Sequence, residues 1–168
     1  PGNNVIVPGD DIDSSTANGP DRVYGWHGRD SLDGGGGNDR LYGEGDDDTL
    51  LGGRGNDILD GGLDDDVLVG GAGNDEINGS SGTDVVTFSG KRSDYQFTRS
   101  GNWLANTVTV VDLRDGSPDG TDTLENIEFV IFQADGNDEV ALASLTNNAP
   151  ALTGTPVALP NGTEDVAY

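Results

Sequence analysis

Large aliphatic residues recur through the first half of the chain at a spacing of nine. They are Val23, Leu32, Leu41, Leu50, Leu59, Leu68, Ile77 and Val86. One inward-facing aliphatic residue per unit predicts short strands that are separated by turns.

Each aliphatic residue is preceded, two positions earlier, by an aspartate, and glycines hold fixed positions before that aspartate. The aspartates are Asp21, Asp30, Asp39, Asp48, Asp57, Asp66, Asp75 and Asp84. The unit is therefore G-G-x-G-x-D-x-U-x, in which U is a large aliphatic residue. Glycines at the first, second and fourth positions allow positive φ and close backbone approach, so the first six residues are predicted to form a tight turn. The last three residues, such as Arg40-Leu41-Tyr42, are predicted to form a strand.

Two turns and two strands make a coil of eighteen residues. Stacked coils place the aliphatic residues in two facing ladders, one with Val23, Leu41, Leu59 and Ile77, the other with Leu32, Leu50, Leu68 and Val86. The predicted fold class is all-β, a parallel β-roll with 18 residues per coil over residues 16–87. Two thin ladders bury too little apolar surface to offset the entropy of ordering the chain. Another source of stability is required.

Composition narrows the choice of that source. The chain has 31 acidic and eight basic residues, a formal charge of −23, and no cysteine. Nucleic acid and anionic membrane surfaces are excluded as partners, because both require Lys and Arg. Disulfides and cysteine-based zinc sites are also excluded. Because only 32% of the residues are hydrophobic, composition alone would also fit a disordered chain. A bound metal is the obvious stabilising element for a folded one.

The eighteen-residue period also stacks the aspartates in two columns. We name them the Asp21 column (Asp21, Asp39, Asp57, Asp75) and the Asp30 column (Asp30, Asp48, Asp66, Asp84). Neighbouring carboxylates in a column repel one another unless a cation lies between them. Calcium suits such gaps better than magnesium, because it accepts about six to eight oxygen ligands in irregular geometry. Each column of four has three gaps, so the pattern predicts six calcium ions between turns.

From Thr16 to Thr87 the chain resembles the RTX, or hemolysin-type, calcium-binding nonapeptide repeats. The resemblance implies that backbone carbonyls at the second and fourth positions complete the calcium sites. The implied glycines are Gly35, Gly37, Gly53, Gly55, Gly71 and Gly73 beside the Asp21 column, and Gly28, Gly62 and Gly82 beside the Asp30 column. Asp46 and Asp64 depart from the glycine pattern. Aspartate tolerates left-handed backbone better than most residues, so we expect these turns to survive.

The nine-residue register ends at Thr87, and residues 88–146, which we call the cap, are predicted to form a C-terminal β region. Alternation at Val108 and Val110, and again at Ile127, Phe129 and Ile131, predicts strands there. Gly120-Thr121-Asp122-Thr123-Leu124 resembles the segment that follows RTX arrays. Four cap aspartates are interpreted as surface turn residues, with a further calcium site as the alternative: Asp112, Asp115, Asp119 and Asp122.

Both ends of the chain depart from the repeat. Residues 1–15 are predicted to form a degenerate coil that is out of register. Residues 147–168 resemble the opening of a bacterial cadherin-like repeat, and we expect a flexible linker and the start of a following domain there. The chain is expected to be a segment of a longer protein.

These features predict a calcium-binding module, not an enzyme. His27 is the single histidine and the carboxylates form a regular array, so no catalytic site is predicted. We expect a monomer that folds on calcium outside the cell, as a folding, export and structural module of a large secreted or cell-surface bacterial protein, with an adhesin favoured. The alternative is a calcium-binding appendage of a secreted enzyme. The RTX resemblance further implies type I secretion. Tyr24, Trp26 and Tyr42 offer a place for a glycan or surface ligand.

Overall fold

A computed structural model describes residues 5–6, 12–13, 19–100, 107–136 and 138–146 of the chain. In these ranges the chain is nearly all strand and winds as a coil between two sheets, which confirms the predicted parallel β-roll. The strands of the roll are β1 (Val5–Ile6), β2 (Ile12–Asp13), β3 (Arg22–His27), β4 (Ser31–Asp33), β5 (Arg40–Gly45), β6 (Thr49–Arg54), β7 (Ile58–Leu63), β8 (Val67–Ala72), β9 (Glu76–Ser81) and β10 (Val85–Phe88).

Odd-numbered and even-numbered strands of the roll form separate sheets. One sheet contains the run β1-β3-β5-β7-β9 and the other the run β2-β4-β6-β8-β10, with all neighbours parallel. From β3 onwards paired residues are eighteen apart, as in Leu41 with Leu59 and Leu50 with Leu68. The predicted coil length is therefore confirmed.

Most strands of the roll are longer than the predicted triplets. Strands β5 to β9 each have six residues. The prediction of three-residue strands was wrong because the second and third residues of the next unit also pair with the adjacent coil, as Glu44 does with Gly62. The non-strand part of each turn is correspondingly short, for example residues 46–48 between β5 and β6.

The core of the roll consists of the two predicted aliphatic ladders. All eight repeat aliphatic residues, Val23, Leu32, Leu41, Leu50, Leu59, Leu68, Ile77 and Val86, have an exposed fraction of 0%. They form one continuous hydrophobic cluster with apolar residues of the cap. The ladders therefore set the spacing of the two sheets, and they place the turns along two opposite edges.

Truncation of a ladder residue tests this core. We expect Leu59→Ala to lower the free energy of unfolding of the calcium-saturated chain by about 2–4 kcal/mol, because a rigid stack cannot close the cavity. Leu63→Ala is the matched control, since Leu63 is 59% exposed, and its effect should stay within about 0.5 kcal/mol. Urea denaturation measures both variants, and equal effects would contradict the assignment of Leu59 to the core.

The N-terminal strands extend both sheets with a different register. Val5 pairs with Arg22, 17 residues later, and Ile12 pairs with Leu32, 20 residues later. These offsets differ from eighteen, so the two short strands are out of register with the repeat. The cadherin-like stretch predicted at residues 147–168 lies outside the described residues.

The cap continues the roll by one coil and then changes strand direction. Its elements are β11 (Tyr95–Arg99), β12 (Thr107–Asp112), β13 (Thr121–Glu125), β14 (Phe129–Phe132), β15 (Asp138–Ala141) and the helix α1 (Leu142–Thr146). β13 and β14 are parallel to β9 and β10, whereas β11, β12 and β15 pair antiparallel. The predicted strand at Ile127 begins instead at Phe129, and Ile127 is buried in the connection before it.

Aromatic rings close the C-terminal end of the ladders. Phe88 contacts Tyr95 and Phe97, and both of these contact Phe132, with ring centroids 4.9–6.4 Å apart. All four belong to or pack against the cluster that contains the repeat ladders. The cap thus covers apolar surface that a bare last coil would expose to water.

Three of the four cap aspartates are buried, so their interpretation as surface turn residues was wrong. Asp112, Asp119 and Asp122 are 3%, 7% and 2% exposed. For Asp112 and Asp119 the reason is a polar network: Tyr95 Oη donates to Asp119 Oδ2 at 2.5 Å, and Arg114 Nη2 lies 2.8 Å from Asp112 Oδ2 and 2.9 Å from Asp119 Oδ2. Asp122 instead accepts a hydrogen bond from the N–H of Asp75. Burial opposes ionisation of Asp112, but hydrogen bonds from Arg114 lower its pKa overall.

Candidate metal centre

The eight repeat aspartates lie in two columns, one along each edge of the roll, as the spacing predicts. All eight are buried, with exposed fractions of 1–9%. Within each column, carboxylate Oδ1 accepts a hydrogen bond from the backbone N–H of the aspartate one coil earlier, at 2.7–2.9 Å. The bond joins consecutive turns and fixes the orientation of each carboxylate.

The other carboxylate oxygen is left without a hydrogen-bond donor in six of these residues. Buried Oδ2 atoms with no partner belong to Asp39, Asp48, Asp57, Asp66, Asp75 and Asp84. A buried anionic oxygen is costly unless a hydrogen bond or a cation compensates it. Six equivalent oxygens in a regular array therefore indicate places where a cation would bind.

The first glycine of each unit makes room for this oxygen. A Cβ atom on Gly52 would lie 2.6 Å from Asp57 Oδ2 and 2.5 Å from the carbonyl oxygen of Gly70 in the next coil. Of the two predicted reasons for a first-position glycine, positive φ does not hold for Gly52, whereas close backbone approach does. Close approach of a carboxylate and a carbonyl is what excludes a side chain there.

Electrostatics in the columns also favour a cation. Burial raises the pKa of Asp57 to about 7, against the lowering effect of the hydrogen bond from Asp39, and the carboxylates of Asp75 and Asp39 raise it further. The pKa of Asp66 is raised to about 7 for the same reasons, with Asp84 and Asp48 as the neighbouring carboxylates. A positive ion between turns would relieve both the burial and the repulsion.

Most second-position and fourth-position glycines lie against a backbone carbonyl of the neighbouring coil. Positive φ of 79–140° is found at Gly35, Gly37, Gly53, Gly55, Gly71 and Gly73, and of 105–157° at Gly28, Gly62 and Gly82. At the fourth position, a Cβ atom on Gly55 would overlap the carbonyl oxygen of Gly37. The glycines named by the RTX resemblance therefore lie along the same two edges as the aspartates.

The edge that carries the Asp30 column has side chains at five of its eight second and fourth positions. Left-handed φ of 70–76° occurs at Trp26, Glu44, Asp46, Asp64 and Ser80. Asp46 and Asp64 thus keep the turn shape, as expected, and Asp46 Oδ2 accepts a hydrogen bond of 3.0 Å from the N–H of Gly28. Left-handed backbone costs a residue with a Cβ atom about 1–2 kcal/mol.

The donor set along both edges consists of oxygen, from carboxylates and backbone carbonyls. Hard cations such as calcium take this set, whereas softer metals take nitrogen or sulfur. Among the described residues no three or more His, Asp or Glu side chains converge on one point. Calcium between two turns would therefore be held by carboxylates of successive coils, with backbone oxygens as the remaining ligands.

A family model described as the RTX calcium-binding nonapeptide repeat (4 copies) matches residues 16–41, 28–59 and 60–90. The roll is an array of RTX repeats. It is thus a calcium-binding module of a kind that is typical of secreted proteins. A comparison of the chain with curated proteins found no match. Across the described ranges, no helix has the length and apolar character that a membrane span requires.

Sequence reasoning missed a ladder of hydrogen-bonded asparagines in the RTX array, formed by fifth-position side chains beside the Asp21 column. Asn38 Oδ1 accepts from the N–H of Asn56, and Asn56 Oδ1 from the N–H of Asn74, both at 2.9 Å. The signal was the dipeptide Asn-Asp, which recurs at 38–39, 56–57 and 74–75. These amides link the turns without adding charge to the Asp21 column.

The aromatic residues considered for ligand binding form a group on one sheet of the RTX array. Tyr24 and Tyr42 stack with ring centroids 4.9 Å apart, and Trp26 lies 6.0 Å from Tyr24. The pairing of β3 with β5 places the two tyrosines side by side. Trp26 is 46% exposed. A glycan or surface ligand at this group stays a prediction.

Proposed function

We propose that this RTX array is a structural module that folds when it binds calcium outside the cell and has no catalytic role. The observation that carries the proposal is the array of six buried carboxylate oxygens that lack a hydrogen-bond donor. Without a cation, folding would bring these carboxylates together inside a chain of net charge −23. Self-repulsion of that size opposes compaction.

The chain's own residues supply the sites only after folding. Asp39 and Asp57 belong to separate turns, eighteen residues apart, and the stacking of coils brings the backbone N–H of Asp39 to the carboxylate of Asp57. When no site exists in the unfolded chain, the free energy of metal binding becomes free energy of folding. Six calcium ions between the repeat turns would reduce the formal charge from −23 to −11. Extracellular calcium modules typically have dissociation constants of about 10⁻⁴–10⁻³ M, which suits millimolar calcium outside cells.

Far-UV circular dichroism of the chain with chelator, with magnesium and with millimolar calcium tests this proposal. We expect a disordered spectrum with chelator or magnesium and a β spectrum with calcium, reversed by added chelator. Magnesium is the control, because its octahedral preference fits irregular carbonyl-rich sites poorly. Identical spectra in all three conditions would contradict calcium-dependent folding.

We further propose that the module serves the folding and export of a large secreted or cell-surface bacterial protein, with an adhesin as the favoured parent. The resemblance of residues 147–168 to a cadherin-like repeat supports this setting. The sequence of the parent protein beyond both ends is the test. Tandem β-sandwich repeats would support an adhesin, and a catalytic domain would support the secreted-enzyme alternative.

A further inference from the structure

The turn that leads into β13 continues the Asp21 column beyond the nonapeptides. Asp122 Oδ1 accepts a hydrogen bond of 2.9 Å from the N–H of Asp75, although the two residues are 47 positions apart. The same bond, of the same length, joins Asp57 to Asp75 across eighteen positions. Leu124 pairs with Ile77 and is fully buried, so it continues the aliphatic ladder.

Other details of this turn also match the repeat. Gly120 has φ of 73°, and a Cβ atom on it would overlap the carbonyl oxygen of Gly73, as at the fourth position of the units before it. The N–H of Thr121 donates to Asn74 Oδ1 at 2.8 Å, which continues the asparagine ladder. Residues 120–125 therefore continue the fourth to ninth positions of the unit along the Asp21 column, although Ser117 and Pro118 lie where the repeat has glycine.

This closing turn is assembled from two separate pieces of chain. One piece is Ser89-Gly90, directly after β10, and the other is residues 117–122; the hairpin of β11 and β12 lies between them in sequence. Asp119 joins the pieces, because its carboxylate accepts hydrogen bonds from Ser89 Oγ at 2.8 Å and from Tyr95 Oη at 2.5 Å. Because Asp75 and Asp122 are 47 positions apart in the sequence, the nine-residue period does not include this turn.

The carboxylates at the closing turn are as buried as those of the repeat turns, but this turn also contacts Arg114, which donates to Ser89 Oγ at 3.0 Å. Asp75 and Asp122 are each 2% exposed, and Asp75 Oδ2 has no hydrogen-bond donor. Arg114, the nearby cation, forms its ion pairs with Asp112 and Asp119. Burial raises the pKa of Asp122 to about 8, against the hydrogen bond from Asp75, and the carboxylates of Asp75, Asp119 and Asp112 raise it further.

The opposite edge of the last coil ends differently. There the N–H of Asp84 donates to Glu128 Oε2 at 2.9 Å. This bond takes the place of the backbone-to-carboxylate bond that joins successive aspartates in the columns. However, only residues 126–128 connect β13 to β14, and Glu128 is exposed. Thr123 and Phe129 are six positions apart, whereas Glu76 and Val85, with which they pair, are nine apart. This turn is therefore three residues shorter than a repeat turn, and residues 126–128 contain no glycine. The Asp30 column therefore stops at Asp84.

We propose that Asp75 and Asp122 hold an additional calcium ion in the closing turn. This inference rests on the proposed function, since it assumes that the repeat turns bind calcium. The array would then bind seven ions, four at the edge of the Asp21 column and three at the edge of the Asp30 column. The additional ion would tie the cap to the last repeat coil, because one of its carboxylates comes from each.

Native mass spectrometry of the full chain in calcium counts the ions directly. We expect seven ions for the wild type, six for Asp122→Asn and seven for Glu128→Gln. Asparagine at position 122 can still accept the hydrogen bond from Asp75, so the variant removes charge and metal binding with little change in shape. Glu128→Gln is the matched control, because it removes one carboxylate from the corresponding backbone bond at the other edge.

The outcomes separate this inference from the proposed function. Six ions in the wild type, or equal counts in Asp122→Asn and Glu128→Gln, would overturn the additional site and leave calcium-dependent folding intact. A wild-type chain that binds no calcium would overturn the proposed function itself. If Asp122→Asn does not fold, the wild-type count alone decides between six ions and seven.

Discussion

Gly55→Ala is expected to prevent calcium-dependent folding at any calcium concentration that folds the wild type. Gly55 lies in the middle of the Asp21 edge with φ of 129°, and a Cβ atom on it would overlap the carbonyl oxygen of Gly37. Stacked coils hold that carbonyl in place from both sides, so the clash can be relieved only by separating two coils. Separation would break the column bond between Asp39 and Asp57 and the gap in which calcium binds. We expect a loss of more than about 4 kcal/mol, the range of the most damaging single substitutions.

Gly28→Ala is the control for Gly55→Ala. Gly28 holds the same fourth position in its unit and also has positive φ, 105°, but no atom lies within 4 Å of a Cβ atom built on it. Its substitution should cost only the left-handed backbone, about 1–2 kcal/mol. A calcium titration followed by circular dichroism measures both midpoints. Similar shifts for the two variants would show that coil stacking at Gly55 is unimportant.

Asp57→Asn is expected to remove two calcium ions and to raise the calcium midpoint of folding at least tenfold. Asp57 lies between two gaps of its column: it accepts the bond from Asp39 and donates one to Asp75. Asparagine can keep both bonds but lacks the charge that a hard divalent ion requires. Each lost site with a dissociation constant near about 10⁻⁴ M removes roughly 5 kcal/mol of binding free energy.

Asp115→Asn controls for the change in net charge. Asp115 is exposed on the cap and belongs to neither column, and its substitution removes the same unit of charge. Calorimetric titration should give an unchanged stoichiometry and midpoint for this variant. If Asp57→Asn behaved in the same way, calcium would not be held by the aspartate columns.

The periodic part of the fold can be predicted from the sequence because every nine-residue unit forms the same turn and the same short strand. A spacing of nine sets the turn, the strand and the inward residue, and the structure places Leu41, Leu50 and Leu59 in the predicted ladders. The columns of aspartates follow from the same arithmetic. The resemblance to RTX repeats added the glycine carbonyls, which no side-chain pattern could identify.

The structure of the cap could not be predicted in the same way, because it depends on contacts between parts of the chain that are distant in sequence. Asp119 and Asp122 look like turn residues until Ser89, Tyr95 and Asp75 are brought to them by the pairing of β13 with β9. A local signal did exist, since Gly120, Asp122 and Leu124 have the spacing of the fourth, sixth and eighth positions of the unit. These three residues are out of phase with the nine-residue register that ends at Thr87, so the period does not reveal them as a further repeat turn. The extension of strands past the triplets was missed because backbone pairing, not side-chain type, decides it.

The two edges of the roll should diverge at different rates among related sequences. At the Asp21 edge the second and fourth positions from Gly35 to Gly73 are all glycine, and several leave no volume for a methyl group. At the opposite edge the same positions accept tryptophan, glutamate, aspartate and serine with φ of 70–76°. The Asp21 margin is thus fixed by sterics, whereas the other margin is fixed at Gly62 and Gly82 but can vary its surface chemistry at its five non-glycine positions. Binding specificities could be selected there by substitution alone, on a scaffold whose calcium dependence stays constant.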